Sequence, residues 1–219
     1  AGAKRALDRV DAGQKALGEA RLALQARAAG VDAAIAKVPA ALRSDAGLTF
    51  DRVMWQIAKS RRDTAAEMML AQSTSAKALG RPMAWADWRA ILARQAMREG
   101  KDQTAYALAA NHHIAFTTEE YDYAELEWIA GYVALRKLGK PKLALEHFLK
   151  FREAVYTPIS LGRAGYWIGR THEELGDQDA ALAAYRFGGK YQTSFYGLLA
   201  AEKAGMAMDP KLTGGPGPQ

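Results

Sequence analysis

Apolar and small residues recur along this chain at helical spacing, in stretches separated by short polar breaks. Residues 4–29 read as an Ala-rich amphipathic helical stretch interrupted by Gly13, Gly18 and Gly30, followed by a shorter helix from Val31 to about Leu42. Ser44-Asp45-Ala46-Gly47 reads as a break. Pairs come next: Phe50 to Lys59 with Asp63 to Leu79, capped at Asp63 or Thr64, and Trp85 to Arg98 with Asp102 to Ala115. A further helix opens at Thr117 and runs to Leu138, with Thr117 and Glu120 at capping-box spacing. Pro141 to Ala154 is its partner. Pro158 to Leu175 pairs with Gln178 to about Lys190, and Ser194 to Ala204 forms a last helix.

The pattern repeats. Leu138-Gly139, Ala144-Leu145 and Phe148 recur as Leu175-Gly176, Ala181-Leu182 and Tyr185, each 37 residues later. Weaker matches continue upstream: Gly100, Asp102 and Ala105 stand 39 residues before Gly139, Pro141 and Ala144, and Arg61, Asp63 and Ala66 stand 39 before those. A fixed period of this size marks an array of helix pairs. Glycine closes the first helix of each pair, since it tolerates the left-handed backbone. Pro141 suits a first helical turn, and Asp177 and Asp179 favour the positive end of the next helix. The small Ala144 and Ala181 allow close approach, and Phe148 and Tyr185 fill the space between pairs. Such stacks present concave surfaces that hold a ligand.

Composition narrows the classes. The 219 residues suffice for one or two cores, and abundant Ala with few β-branched runs favours helix throughout. No run of 18 apolar residues exists, so no membrane span is expected, and the start, Ala1-Gly2-Ala3-Lys4-Arg5, has no signal-peptide pattern. Cysteine is absent, which excludes disulfide and thiol chemistry and fits a periplasmic protein as well as many cytosolic ones. The net charge of +6 is uneven: residues 1–110 carry 18 Lys and Arg against 11 Asp and Glu, and the remainder carries 12 against 13. The Arg residues are spread singly with no run of five basic residues, so nucleic acid is not expected as a partner. The terminal Gly214-Gly215-Pro216-Gly217-Pro218-Gln219 has linker composition, and the expectation is a trimmed chain that a further segment followed.

Several phrases together resemble one family. They are Gly47-Leu48-Thr49-Phe50-Asp51-Arg52 with Trp55, Trp88 to Arg94, and Ala124-Glu125-Leu126-Glu127-Trp128-Ile129-Ala130-Gly131-Tyr132 leading into Ala134-Leu135-Arg136. His147-Phe148, Thr157-Pro158-Ile159-Ser160 with Arg163, Tyr166-Trp167-Ile168-Gly169-Arg170 and Phe195-Tyr196-Gly197-Leu198-Leu199-Ala200-Ala201 complete the set. This chain resembles the non-catalytic helical region of the soluble lytic murein transglycosylases, α-proteobacterial type, over roughly residues 45 to 205. The resemblance implies a superhelical arc beside a C-terminal lysozyme-like domain. That domain cleaves peptidoglycan between N-acetylmuramic acid and N-acetylglucosamine, without water, to 1,6-anhydro products, with one Glu as acid and then base. The family's catalytic Glu-Ser and its Gly-Leu-Met-Gln phrase are both missing here. The resemblance therefore implies a scaffold without the chemistry, or a homologue that lost its catalytic domain.

Other constellations have plain readings. Glu173-Glu174 after His172 lie in a last helical turn and point about 100° apart, so they do not face a common sugar bond as two glycosidase carboxylates must. His112-His113 has no HExxH or cysteine companion, so no metal site is expected. The acidic group Glu119, Glu120, Asp122, Glu125 and Glu127 suits a helix start. Trp85 and Trp88, Trp128 and Tyr132, and Tyr166, Trp167 and Arg170 have helical spacing. Core packing explains them, and so does a sugar-binding face, because aromatic faces stack on sugar rings and Arg pairs with hydroxyls and carboxylates. Arg163 and Arg170, two turns apart on one helix face, form with Tyr166 the expected glycan-facing stripe.

The expected fold is an all-α superhelical array of antiparallel helix pairs, a tetratricopeptide-like α-solenoid. The expected organisation is an N-terminal helical segment at 1–44, a repeat domain at 45–205 and a Gly/Pro tail at 206–219. The expected function is the non-catalytic scaffold of a periplasmic lytic transglycosylase, inactive alone, with no catalytic residue, metal or cofactor. Its expected partners are a peptidoglycan glycan strand, the catalytic domain of the same parent and other cell-wall proteins. The alternative is a stand-alone tetratricopeptide-like interaction module. A peptide groove of that kind is rich in Asn and Lys, and Asn occurs here only at Asn111.

Overall fold

The computed structural model describes residues 7–116 and 120–212. The described residues are helical with no strand, and they divide into two compact units. Residues up to 85, with 111–113, form the first, and 86–110 with 114 onward form the second. The first boundary expected from the sequence, at residue 44, falls inside unit 1. Leu48 packs into one core with Leu17, Leu24, Val31 and Val38, so the helices on both sides of that boundary share one hydrophobic centre.

Unit 1 contains α1 (Ala12–Gln25), α2 (Val31–Ala36), α3 (Ala46–Ala58), α4 (Arg62–Gln72) and α5 (Ala76–Leu79). Side-chain caps set several boundaries more tightly than hydrophobic spacing does. Asp11 accepts from Gln14 N–H at 2.9 Å, and Asp45 accepts from Leu48 N–H at 2.8 Å. The second cap starts α3 at Ala46, four residues before the expected Phe50. Pro39, which has no N–H to give, separates α2 from a 3₁₀ turn at Ala40–Leu42, where one helix to Leu42 was expected. The helix expected over Asp63 to Leu79 is likewise divided. Ser73 donates its hydroxyl back to Met69 O, and Ser75 accepts from Ala78 N–H to start α5.

Unit 2 contains α6 (Ala86–Arg98), α7 (Asp102–Ala110), α8 (Glu120–Arg136), α9 (Pro141–Ala154), α10 (Pro158–Leu175), α11 (Gln178–Gly188) and α12 (Phe195–Lys203). Each helix packs on the next, and α6 also packs on α8 and α10 on α12. Contact with the partner helix and with the corresponding helix of the next pair is what defines an array of antiparallel pairs, the tetratricopeptide-like solenoid class. The helix expected to reach Ala115 ends at Ala110, and the Thr117–Glu120 capping box lies outside the described residues.

The repeat is written in backbone hydrogen bonds. The second helix of each pair opens with a carbonyl at Arg61, Lys101, Lys140 or Asp177. That carbonyl accepts from Ala65, Ala105, Ala144 or Ala181 N–H at 3.0, 2.9, 3.0 and 3.0 Å. These four alanines are all buried. The spacings are 40, 39 and 37, so Ala65 and not Ala66 is the upstream counterpart, and the first period is one residue longer than expected. The helix ends repeat as well. Arg61, Lys101 and Asp177 each donate to the carbonyl five residues back (Gln56, Ala96, His172), and the residue before each has positive φ. That residue is Gly100 and Gly176 in two pairs and Ser60, at φ 60°, in the first.

A second repeated device fits the helices of a pair together. Phe148 of α9, fully buried, lies so close to Gly131 of α8 that a Cβ there would sit 2.8 Å from its ring. Tyr185 of α11 lies against Gly169 of α10 in the same way, at 2.4 Å. An aromatic knob in a glycine hole thus recurs 37 to 38 residues apart.

Candidate functional site

Two helices and a loop of unit 2 present parallel stripes to one cleft. From α8 come Tyr121, Glu125 and Trp128, at helical spacing on one face, and from the start of α10 come Ser160 and Arg163, preceded by Tyr156 and Thr157. Thr157 caps α10 through Ser160 N–H at 3.3 Å, and Pro158 occupies its first turn, which fixes where the chain turns into the helix. Arg94 of α6 closes one side and pairs with Glu125 at 2.7 Å. The cleft encloses about 200 Å³. That is below the roughly 300–1,000 Å³ of pockets that engulf a whole small molecule. It suits one ring of a larger ligand lying across the surface.

Chemically the cleft combines aromatic rings, two guanidinium groups, a carboxylate and two hydroxyls. Arg163 lies over the Trp128 ring at 5.1 Å and over Tyr196 at 5.6 Å, two cation–π contacts that hold it at the wall. Because Arg163 covers Trp128, the open rings are those of Tyr121 and Tyr156, each 78% exposed. The buried donors Trp128 Nε1 and Arg163 Nε have no acceptor among the described residues. Behind the wall, Trp128 stacks on Tyr132, and Trp167 meets Tyr132 edge-on and stacks on Phe148. Trp167 is therefore core and anchors the stripe in front of it.

The expected stripe of Arg163, Tyr166 and Arg170 is divided between two neighbourhoods. Arg163 lines the cleft with Trp128. Arg170 donates to Tyr166 Oη at 3.3 Å and pairs with Glu173 at 3.0 Å, while Lys203 of α12 holds the other Glu173 oxygen at 3.0 Å. Hydrogen bonding to Tyr166 holds the Arg170 guanidinium above its ordinary range. Burial works against charge on Glu173, but the hydrogen bond from Lys203, the neighbouring Tyr185 hydroxyl and the fields of Lys203 and Arg170 outweigh it, so its carboxyl sits below the usual range. Burial, and then Glu173, push the Tyr185 phenol well above its ordinary value. Arg170 is thus committed to protein partners. Tyr166, half-buried, touches Tyr196 at 5.4 Å and lines a separate shallow hollow with Leu199, Glu202 and Lys203.

The remaining sequence candidates are accounted for by structure. Glu173 is paired and Glu174 is exposed at the end of α10. His113, at φ 53°, faces Ser73 O through Nε2 at 3.1 Å, and its neighbour His112 is buried. The acidic group at the start of α8 is split. Glu125 pairs with Arg94, while Glu127, two residues on, points to the other side and is 3% exposed. Glu119 lies outside the described residues.

Glu127 belongs to a buried network that the sequence pattern does not single out. Its Oε2 lies 2.5 Å from His147 Nδ1, and His147 Nε2 lies 2.9 Å from Tyr106 Oη. Lys150 stands 3.6 Å from the second Glu127 oxygen. Burial and the Glu127 carboxylate raise the Tyr123 phenol to about 12. Burial, Glu127 and Glu146 raise Tyr106 as well. The arrangement ties α7, α8 and α9 together beneath the cleft. In the sequence, Glu127 looks like one more acid in a run, and nothing in the spacing separates its face from that of Glu125.

No protein-family model matches the chain, and no curated protein is similar to it. Among solved structures, the crystal structure of MamA protein is similar at 19% identity and a TM-score of 0.43, covering 83% of this chain and 88% of that chain. A likeness at that level bears on neither ligand nor partner.

Proposed function

We propose that this chain is a non-catalytic glycan-binding scaffold, the helical part of a periplasmic lytic transglycosylase that cleaves peptidoglycan. In this reading the unit 2 cleft guides the glycan strand toward a lysozyme-like catalytic domain of the same parent. The observation that carries it is the cleft's composition: exposed Tyr121 and Tyr156 beside Arg94, Glu125, Arg163, Thr157 and Ser160. Tyrosine faces suit the apolar face of a sugar ring, and the guanidinium and carboxylate groups suit its hydroxyls and the muramic acid lactyl carboxylate. Other cell-wall proteins are further partners in this reading. The sequence phrases that resemble the transglycosylase helical region include Arg94, Ala124, Glu125, Trp128, Thr157, Ser160 and Arg163, seven of the lining residues.

The test is co-sedimentation of the chain with purified sacculi, alongside assay of the released products. Saturable binding that falls about tenfold in Tyr156→Ala, with no anhydro-muropeptide released, is expected; tenfold corresponds to the roughly 1.4 kcal/mol of one lost ring contact. Undiminished binding by Tyr156→Ala would remove the cleft from the account, and release of anhydro products would remove the scaffold role. An interaction module is the second reading, favoured by the exposed Ile159 and Phe195 at the starts of α10 and α12. It predicts no binding to sacculi.

A further inference from the structure

We infer that a second cleft, in unit 1, is a binding site for a small organic acid: a monocarboxylate with an apolar body. The cleft encloses about 480 Å³ between α1, α3 and the segment after α5. Its polar lining is Arg21, Gln25, Asp51 and Arg81, and its apolar lining includes Phe50, Leu79 and Trp85, with Phe50 and Trp85 meeting edge-to-face at 5.0 Å.

The argument rests on where the positive charge is held. Asp51, 6% exposed, accepts from Arg21 Nε at 2.7 Å and from Gln25 Nε2 at 3.1 Å. That grip orients the Arg21 guanidinium and leaves both Nη groups without an acceptor among the described residues. The guanidinium lies against the first turn of α3 at Gly47, where a Cβ would sit 2.4 Å from Arg21 Cζ. A larger residue there must push the guanidinium aside. The first turn of a helix carries unpaired N–H groups and the positive end of the helix dipole. Asp45 caps that turn and Asp51 pairs with Arg21 Nε, so the positive edge left for an anion in the cleft is the outer Nη edge of Arg21. Arg81, exposed at the same cleft, adds a second guanidinium with no hydrogen bond or ion pair among the described residues.

The lining fixes the ligand class. Two guanidinium groups against one carboxylate leave a single net positive charge, which matches a carboxylate better than a dianionic phosphate. The free Nη edge of Arg21 offers the paired N–H geometry a carboxylate accepts. Phe50, partly exposed, provides apolar contact for the remainder of the molecule, with the buried Leu79 and Trp85 packed behind it. This site is independent of the glycan reading, which concerns unit 2 alone.

The experiment is calorimetric titration of the full chain with N-acetyl-leucine, its neutral amide, and inorganic phosphate. Saturable binding of the acid is expected, with the amide and phosphate each weaker by about tenfold or more, the value of one charge-assisted hydrogen bond. Arg81→Gln, an exposed change with no partner to orphan, is expected to weaken the acid about tenfold at unchanged melting temperature. Gly47→Ala, which displaces the Arg21 guanidinium, is expected to abolish binding. The inference is overturned if the acid shows no saturable binding, if amide or phosphate binds as well as the acid, or if Arg81→Gln binds unchanged.

Discussion

Gly165→Ala probes the packing that holds unit 2 together. Gly165 of α10 faces Gly188 of α11, and a Cβ at 165 would lie 2.4 Å from Gly188 Cα, 2.5 Å from Gly188 N and 2.9 Å from Ala184 O. All three atoms are backbone, so no rotamer change relieves the contact. Ordinary contact begins at 3.4 Å, so α11 must retreat by about 1 Å. A gap of that size forfeits a quarter to a half of the dispersion energy across the surface it opens. That surface includes buried Ala181 and Tyr185. Overpacking of this kind costs about 3 kcal/mol, the upper end of the usual range because the backbone itself must move. Replacing glycine by alanine inside a helix returns about 1 kcal/mol. The net expectation is a loss of about 2 kcal/mol, a melting temperature lower by about 4–8 °C for a chain of this size. Urea unfolding followed by far-ultraviolet circular dichroism measures it. Gly188→Ala, whose Cβ meets Ala200 Cβ at 3.0 Å and backbone only at 3.1 Å, should lose less. A Gly165→Ala protein as stable as the parent, or a larger loss for Gly188→Ala, would refute the reasoning.

Other expectations concern single residues. Ser60 holds a left-handed conformation at φ 60°, which costs a non-glycine residue about 1 kcal/mol, so Ser60→Gly should raise the urea midpoint. His147→Leu removes the closest partner of the buried Glu127 carboxylate, leaving Lys150 at 3.6 Å, and should cost about 3 kcal/mol, while Glu127→Leu with His147→Leu should recover most of that loss in the same unfolding assay. The Tyr123 phenol is raised to about 12, so the folded state favours its neutral form. Its stabilising contribution is complete below the unfolded value near 10 and is lost as pH rises through about 12. Stability should fall across that alkaline window, and Tyr123→Phe should flatten the fall. Glu173 has the opposite sign: its contribution holds above the ordinary carboxylate range and disappears as pH drops through its lowered value, and Glu173→Gln should remove that acid limb.

Fold class and pairing were legible because the repeat is carried by residues whose jobs are local. Gly139, Gly176, Ala144 and Ala181 mark turns and close approaches, and the structure places all four in those roles. Boundaries set by a single side chain were not legible. Asp45 could have been read as a loop residue or as a cap, and Ser73 and Ser75 broke a helix whose apolar pattern continues through them. Ser60 hid the first period because it does a glycine's work without being one. In the candidate site, Arg163 was legible as a surface arginine at helical spacing, but its neighbours were not. Tyr121, Tyr156 and Arg94 reach the cleft from three other segments, and that convergence is a property of packing. Arg170 lay on the same helical stripe, yet it is ion-paired with Glu173 and hydrogen-bonded to Tyr166, which helical spacing alone does not reveal.

The most direct measurement is a nuclear magnetic resonance shift map of the full chain on addition of peptide-free glycan strands. The account predicts saturable shifts concentrated at residues 121–128 and 155–163, with Arg94 among them and the unit 1 cleft unchanged. Shifts that avoid those two segments, or a spectrum that does not respond, would contradict the assignment of the unit 2 cleft as a glycan surface.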